Sequence, residues 1–201
     1  MPTEGKINLP TAVQFYDAFL KRYEQERKSH NDNEWEKVWT DTNLWSNLMI
    51  YRKNAVLREV AQSLYLQCYD REPLRLDAVF TTPDPKSQQL WDWFPIIVAI
   101  EHENNPWGFH GEINKLFSIC CALKVGITYA LLDQRKKPDE IKRIILDRIK
   151  RSYESRGSLI NEDPKTEYLF LIGHECKPRM IEWSALMFNA GQGTKTASFL
   201  S

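Results

Sequence analysis

Pro95 to Ile100 is apolar without interruption and is followed at once by Glu101-His102-Glu103-Asn104. Four of the five residues from Ile96 to Ile100 are β-branched. A short run of that kind, with no alternation, reads as a strand covered on both faces that leaves the core at its charged end. Such a strand needs a layer above it and a layer below it, so the chain must supply helices to both faces of a sheet. The expected class is α/β (or α+β): a mixed β-sheet flanked by helices.

The flanking sequence divides accordingly. Residues 1–70 read as a helical region packed on the core. Thr11 and Gln14 have the spacing of a capping box, and behind them Val13, Tyr16, Leu20 and Tyr23 recur at steps of three and four. A second helical pattern carries Trp35 and Trp39. A third runs from Lys53 to Cys68 with Val56, Val60 and Leu64 in line.

Residues 71–190 form the expected core. From Leu74 to Phe80 the period is two, with Leu74, Leu76, Ala78 and Phe80 on one face and Arg75, Asp77 and Val79 on the other. Thr81 to Gln89, with two prolines, is a connection. Glu112 to Lys124 is helical, with Gly126 as its C-cap. Ile127 to Leu132 is a short strand, Pro138 opens a helix, and Thr166 to Glu175 and Met180 to Phe188 are strands. The predicted order after the helices is β-β-α-β-α-β-β. Residues 191–201, rich in Gly, Ser and Thr, read as a flexible tail.

The charged strand end is the feature with chemistry in it. Glu101 and Glu103 are two apart on a strand and project from one face, while His102 points to the other. If the strand of Asp77 is the neighbour, three carboxylates converge at one end of the sheet. Carboxylates that close repel and raise one another's pKa unless a cation neutralises them. Hard oxygen ligands of this type suit Mg²⁺ or Mn²⁺, which can polarise a phosphodiester and supply a nucleophile. Solvated loop residues are the plain alternative.

This arrangement resembles the core of the PD-(D/E)XK nuclease superfamily, the restriction-endonuclease-like fold. The residues that carry it are Arg75 to Phe80, Pro95 to Asn104, Glu112 to Leu116 and Ala122 to Tyr129. The resemblance implies that Asp77 and Glu101 bind the divalent ion, with the backbone carbonyl of His102 as a further ligand. Two positions depart from the pattern: Leu76 stands where proline is common, and Glu103 stands at the lysine position. Glu103 is then a second-metal ligand or a base that orients water, and Lys115 on the following helix supplies the missing ammonium. Glu59, from the helix before the first strand, and Glu112 and His110, beside the site, are further candidates. A degenerate, inactive domain acting as a binding or assembly module is the alternative reading.

The implied partner is nucleic acid, double-stranded DNA first, with RNA left open and a homodimer compatible. Composition bears on this only regionally. The chain has 27 Lys+Arg and 27 Asp+Glu, so its formal net charge is zero, which excludes a highly basic coat protein. Yet Arg135 to Arg156 holds nine basic residues against four acidic ones. Lys142, Arg143, Lys150 and Arg151 on that helix are the candidate phosphate contacts, unless they form a solvated face with i,i+4 pairs. The four cysteines are unpatterned, no apolar run reaches the length of a membrane span, and the start is not a leader. A cytoplasmic location without membrane contact is the expectation.

Overall fold

The computed structural model describes residues 9–70, 73–83, 95–105, 107–130, 138–156, 162–177 and 180–200. The N-terminal helices are α1 (Ala12–Ser29), α2 (Asp32–Thr40), α3 (Thr42–Ser46) and α4 (Val56–Ser63). A π-helical turn, Asn47–Tyr51, continues α3. Thr11 caps α1 through the expected box with Gln14. The buried face of α1 is shifted from the predicted one: Phe15 and Phe19 go inward with Tyr16 and Tyr23, and Val13 is exposed. The aromatic rings displace the aliphatic positions because they bury more apolar area per residue.

A mixed seven-stranded sheet follows, its strands in sequence order. They are β1 (Gln67–Tyr69), β2 (Ala78–Thr81), β3 (Val98–Glu103), β4 (Leu123–Ala130), β5 (Glu167–Lys177), β6 (Met180–Asn189) and β7 (Ser198–Leu200). β1–β2–β3 is an antiparallel meander; β3, β4 and β5 are parallel; β6 and β7 return antiparallel. The two parallel crossovers are α5 (Phe109–Leu116) and α6 (Pro138–Arg156). The sheet advances in one direction, so crossovers of one hand place both helices on the same face.

Two cores result. On one face, α1 to α4 pack with Ala78, Phe80, Val98, Ile100, Val125 and Ile127. On the other, Phe109, Ile113, Leu116, Ile145 and Ile149 pack with Val79, Ala99, Phe170 and Ile172. The run that leads into Glu101 is thus buried on both sides, with alternate residues in alternate cores. The fold is α/β with helices on both faces, as the run requires.

Local departures have local causes. The strand predicted from Leu74 begins only at Ala78, because Leu74 and Arg75 adopt left-handed φ of 57° and 65° in a 3₁₀ turn. That turn sends Leu76 to the α5/α6 core instead of the face of Ala78 and Phe80. Gly126, expected as a helix cap, lies inside β4. A Cβ there would meet the Phe109 and Phe170 rings at 2.7 Å, so the helix–sheet approach itself requires glycine. Residues 193–200, expected as a loose tail, form a 3₁₀ turn and the edge strand β7, paired to β6. Residues 84–89 of the expected connection, Leu131 and Leu132 of the expected strand, and Arg135 to Lys137 of the basic stretch lie outside the described residues.

Candidate active site

β2 and β3 are neighbours, with Ala78 opposite Ile100. The residue before the one pair and the residue after the other, Asp77 and Glu101, therefore meet at the same sheet end. The Asp77 carboxylate accepts the His102 backbone N–H at 2.7 Å. Glu101 is fully buried, and neither of its oxygens has a hydrogen-bond partner of good geometry.

The third carboxylate comes from α5. Phe109, Ile113 and Leu116 bury one side of this helix, which turns Glu112 and Lys115, one turn apart, toward the strand end. Lys115 pairs with Glu112, its Nζ stands 3.4 Å from Glu101 Oε1, and it donates to the Arg75 carbonyl at 3.4 Å. Lys115 thus pairs with Glu112 and lies against Glu101 at the same time.

Three carboxyl groups thus share one lysine. Burial first, then Glu112 and Asp77, push Glu101 up to about 10; Lys115 pulls the other way and is outweighed. At neutral pH Glu101 holds its proton, so its contact with Lys115 is an ammonium against a neutral acid. Asp77 is also raised, by burial, against the lowering effect of the His102 amide. Lys115 is raised: partial burial lowers it, but Glu112 and Glu101 more than compensate. Fully ionised, the cluster would carry two negative charges in excess, the charge of one divalent cation. The donors are hard oxygens, the type such an ion takes. Among the described residues, no group of three His, Cys, Asp or Glu is already arranged around a metal position.

The other candidates fall elsewhere. Glu103 shares a face with Glu101, but its Oε1 accepts the Asn105 N–H at 2.7 Å and Oε2 lies against Gly108. It caps the turn into α5 instead of joining the cluster, because the chain bends directly after it. Glu59 lies on α4 and lines a groove with Gln14, Lys21 and Arg22 of α1, on the opposite face of the sheet from α5. His110 ties α5 to α6, within 3.1 Å of Ser152 Oγ and 3.3 Å of Asn114 Nδ2.

Along α6, Arg143 and Arg151 are exposed, while Lys142 and Lys150 are half-buried. The exposed ridge reads Arg143, Asp147, Arg151, Glu154, which alternates in sign. Arg148 approaches the site rim, donating to the Trp107 carbonyl at 3.0 Å with its guanidinium 5.4 Å from the Trp107 ring centre.

The far side of the strand end holds an arrangement that the sequence pattern does not show. His102 Nε2 accepts the Trp45 indole N–H at 3.0 Å, and burial lowers its pKa to about 4. Asn104 donates to Ser46 Oγ at 3.3 Å and accepts the Tyr129 hydroxyl at 2.8 Å. Alternation does place His102 opposite the carboxylates, but no local signal names a partner 57 residues away.

No protein-family model and no curated relative matches the chain. Among solved structures it is similar to the central domain of yeast acetyl-CoA carboxylase, with 10% identity, 87% of this chain and 34% of that chain covered, and a TM-score of 0.37. The chain spans about a third of that chain's length, and a likeness this weak carries no argument about function. Among the described residues, no helix is long and apolar enough to cross a membrane.

Proposed function

We propose that this protein is a divalent-metal-dependent nuclease that hydrolyses phosphodiester bonds of nucleic acid, double-stranded DNA first. The observation that carries the reading is Glu101: a fully buried carboxyl, its oxygens without a well-aligned hydrogen bond, that shares Lys115 at 3.4 Å with Glu112 at the exit of a core strand. Structural carboxyls have complete partners when buried; one that must share a single lysine with another carboxyl at a strand's end fits a site that takes a cation. The resemblance to the PD-(D/E)XK superfamily points the same way, since it names Asp77 and Glu101 as ligands and these two converge.

Asp77, Glu101 and Glu112 would hold Mg²⁺ or Mn²⁺. When bound, the ion supplies a Lewis acid for the phosphodiester. Lys115 would offset the negative charge that builds on the phosphate oxygens. Glu103, at the rim, would orient water only after releasing the Asn105 amide, so its role is secondary to that of Lys115. Arg143 and Arg151, with Lys142 and Lys150 behind them, would contribute phosphate contacts.

The test is nicking of supercoiled plasmid by the purified protein with Mn²⁺ or Mg²⁺. Activity that depends on the metal and disappears in the Asp77→Ala/Glu101→Ala variant is the expected result. Nicking no greater than in that variant overturns the reading. The second reading, a non-catalytic binding module of the same architecture, is favoured by one arrangement: Asp77 already accepts the His102 amide, and Lys115 already lies among the carboxyls. Calorimetry separates the two, because a module without catalysis shows no millimolar-range Mn²⁺ binding.

A further inference from the structure

We propose that Trp45 is a positioning residue for the acidic cluster, acting through His102; the proposal rests on the cluster being the working site. The last residues of β3 alternate between two environments. Glu101 and Glu103 face the α5 side. His102 and Asn104 face the N-terminal helices, and each is tied to α3: His102 by the Trp45 indole N–H at 3.0 Å, Asn104 by Ser46 Oγ at 3.3 Å.

The His102 anchor reaches the cluster through the backbone. The same residue whose ring is held by Trp45 donates its amide to Asp77 Oδ2 at 2.7 Å. That donor exists only where the strand end is fixed, because a rotation of the His102 peptide would remove it. The indole N–H can only donate, so His102 Nε2 accepts and the ring proton sits on Nδ1. Trp45 is itself fully buried and immobilised edge-on against Trp39, with ring centres 4.9 Å apart, and against Tyr129 at 5.3 Å. The π-helical turn that begins at Asn47 follows directly, an element rare in proteins and concentrated at functional sites. The N-terminal helices therefore serve as the mould that sets where Asp77 stands relative to Glu101, in addition to burying one sheet face.

Three variants read this directly: Trp45→Phe keeps a ring and loses the donor, His102→Leu loses the acceptor, and His102→Gln restores an acceptor near the Nε2 position. Mn²⁺ titration and the amide ¹H–¹⁵N shift of residue 102 are measured on each, with circular dichroism as the check on folding. Trp45→Phe and His102→Leu are expected to weaken Mn²⁺ binding about tenfold, in the range for partners that orient metal ligands, and to move the amide proton upfield. His102→Gln recovers most of both. Wild-type Mn²⁺ affinity in Trp45→Phe with an unmoved residue-102 amide overturns the proposal. If Trp45→Phe does not fold, the His102→Leu and His102→Gln pair decides, since both leave the tryptophan in place. If the wild-type protein binds no Mn²⁺, the metal reading has failed, and the amide shift alone decides for or against Trp45.

Discussion

Two lysine–carboxyl clusters lie on the α5/α6 face of the sheet, two register positions apart: Ala99 is opposite Lys124, and Glu101 is opposite Gly126. They are built in opposite ways. Lys124 is fully buried, and its ammonium is met by Glu162, by the Tyr168 hydroxyl at 3.3 Å and by the Tyr168 ring at 5.0 Å. The Tyr168 hydroxyl in turn donates to Glu162. One ammonium, one carboxylate and one hydroxyl satisfy each other. In the cluster beside it, three carboxyls share one exposed lysine, and the buried one has no hydrogen bond. A buried polar group is retained for stability when its partners are complete. When they are incomplete the fold gives up stability, and a ligand can restore it.

The largest expected effect belongs to the complete cluster. Glu162→Ala leaves the Lys124 ammonium and the Tyr168 hydroxyl without their shared acceptor, and should cost about 3–5 kcal/mol of unfolding free energy. Urea denaturation checks this. A loss under about 1 kcal/mol would place the pair in water, and the contrast between the clusters would fail.

Lys115→Met probes the incomplete cluster in two directions at once. Removing a positive charge next to a cation site should tighten Mn²⁺ binding about fivefold. Removing the group that offsets charge on the phosphate should lower kcat by roughly a hundredfold or more. Calorimetry and plasmid nicking measure the two. Parallel loss of both would make Lys115 a structural strut.

Glu101 also gives a pH signature. Its carboxyl binds a proton in the folded state between pH 4.5 and about 10, whereas the unfolded chain has released it above 4.5. The folded state therefore holds more protons across that window. Stability is fullest below pH 4.5 and falls as pH rises, by up to about 1.4 kcal/mol per unit from this group. Glu101→Gln, which keeps shape and never ionises, should flatten that slope and raise the melting temperature at pH 8. A melting temperature at pH 8 equal to or below that of the wild type would remove the idea that Glu101 is held at a cost.

Much of this contrast can be traced in the chain itself, and part of it cannot. The run from Ile96 to Ile100 announces a strand covered on both faces, and its abrupt end locates Glu101. Alternation separates Glu101 from His102, because strand periodicity is a local property. Lys124 is misread as the end of a helix because α5 stops at Leu116 and the strand starts early. What decides this is the buried partnership with Glu162 and Tyr168, 38 and 44 residues away. The Trp45–His102 hydrogen bond is hidden for the same reason. Glu103 misleads in another way: spacing puts it beside Glu101, and only the turn at Asn105 to Gly108 shows it committed to a backbone amide.

The smallest stability effect, and the one that tests the partner, belongs to α6. Arg143 and Arg151 are exposed on a ridge where Asp147 and Glu154 alternate with them, so replacing both by alanine should leave unfolding within about 0.5 kcal/mol of the wild type. Any role they have must then show in binding. For each arginine that grips a phosphate, its replacement should reduce the slope of log K against log salt by about one, uniformly across DNA sequences. If the slope drops, the alternating ridge follows a phosphate backbone despite its acidic members. If affinity and slope are both unchanged, the ridge is a solvated face whose charges serve one another, and nucleic acid would have to reach the carboxyl cluster from the Trp107–Arg148 rim.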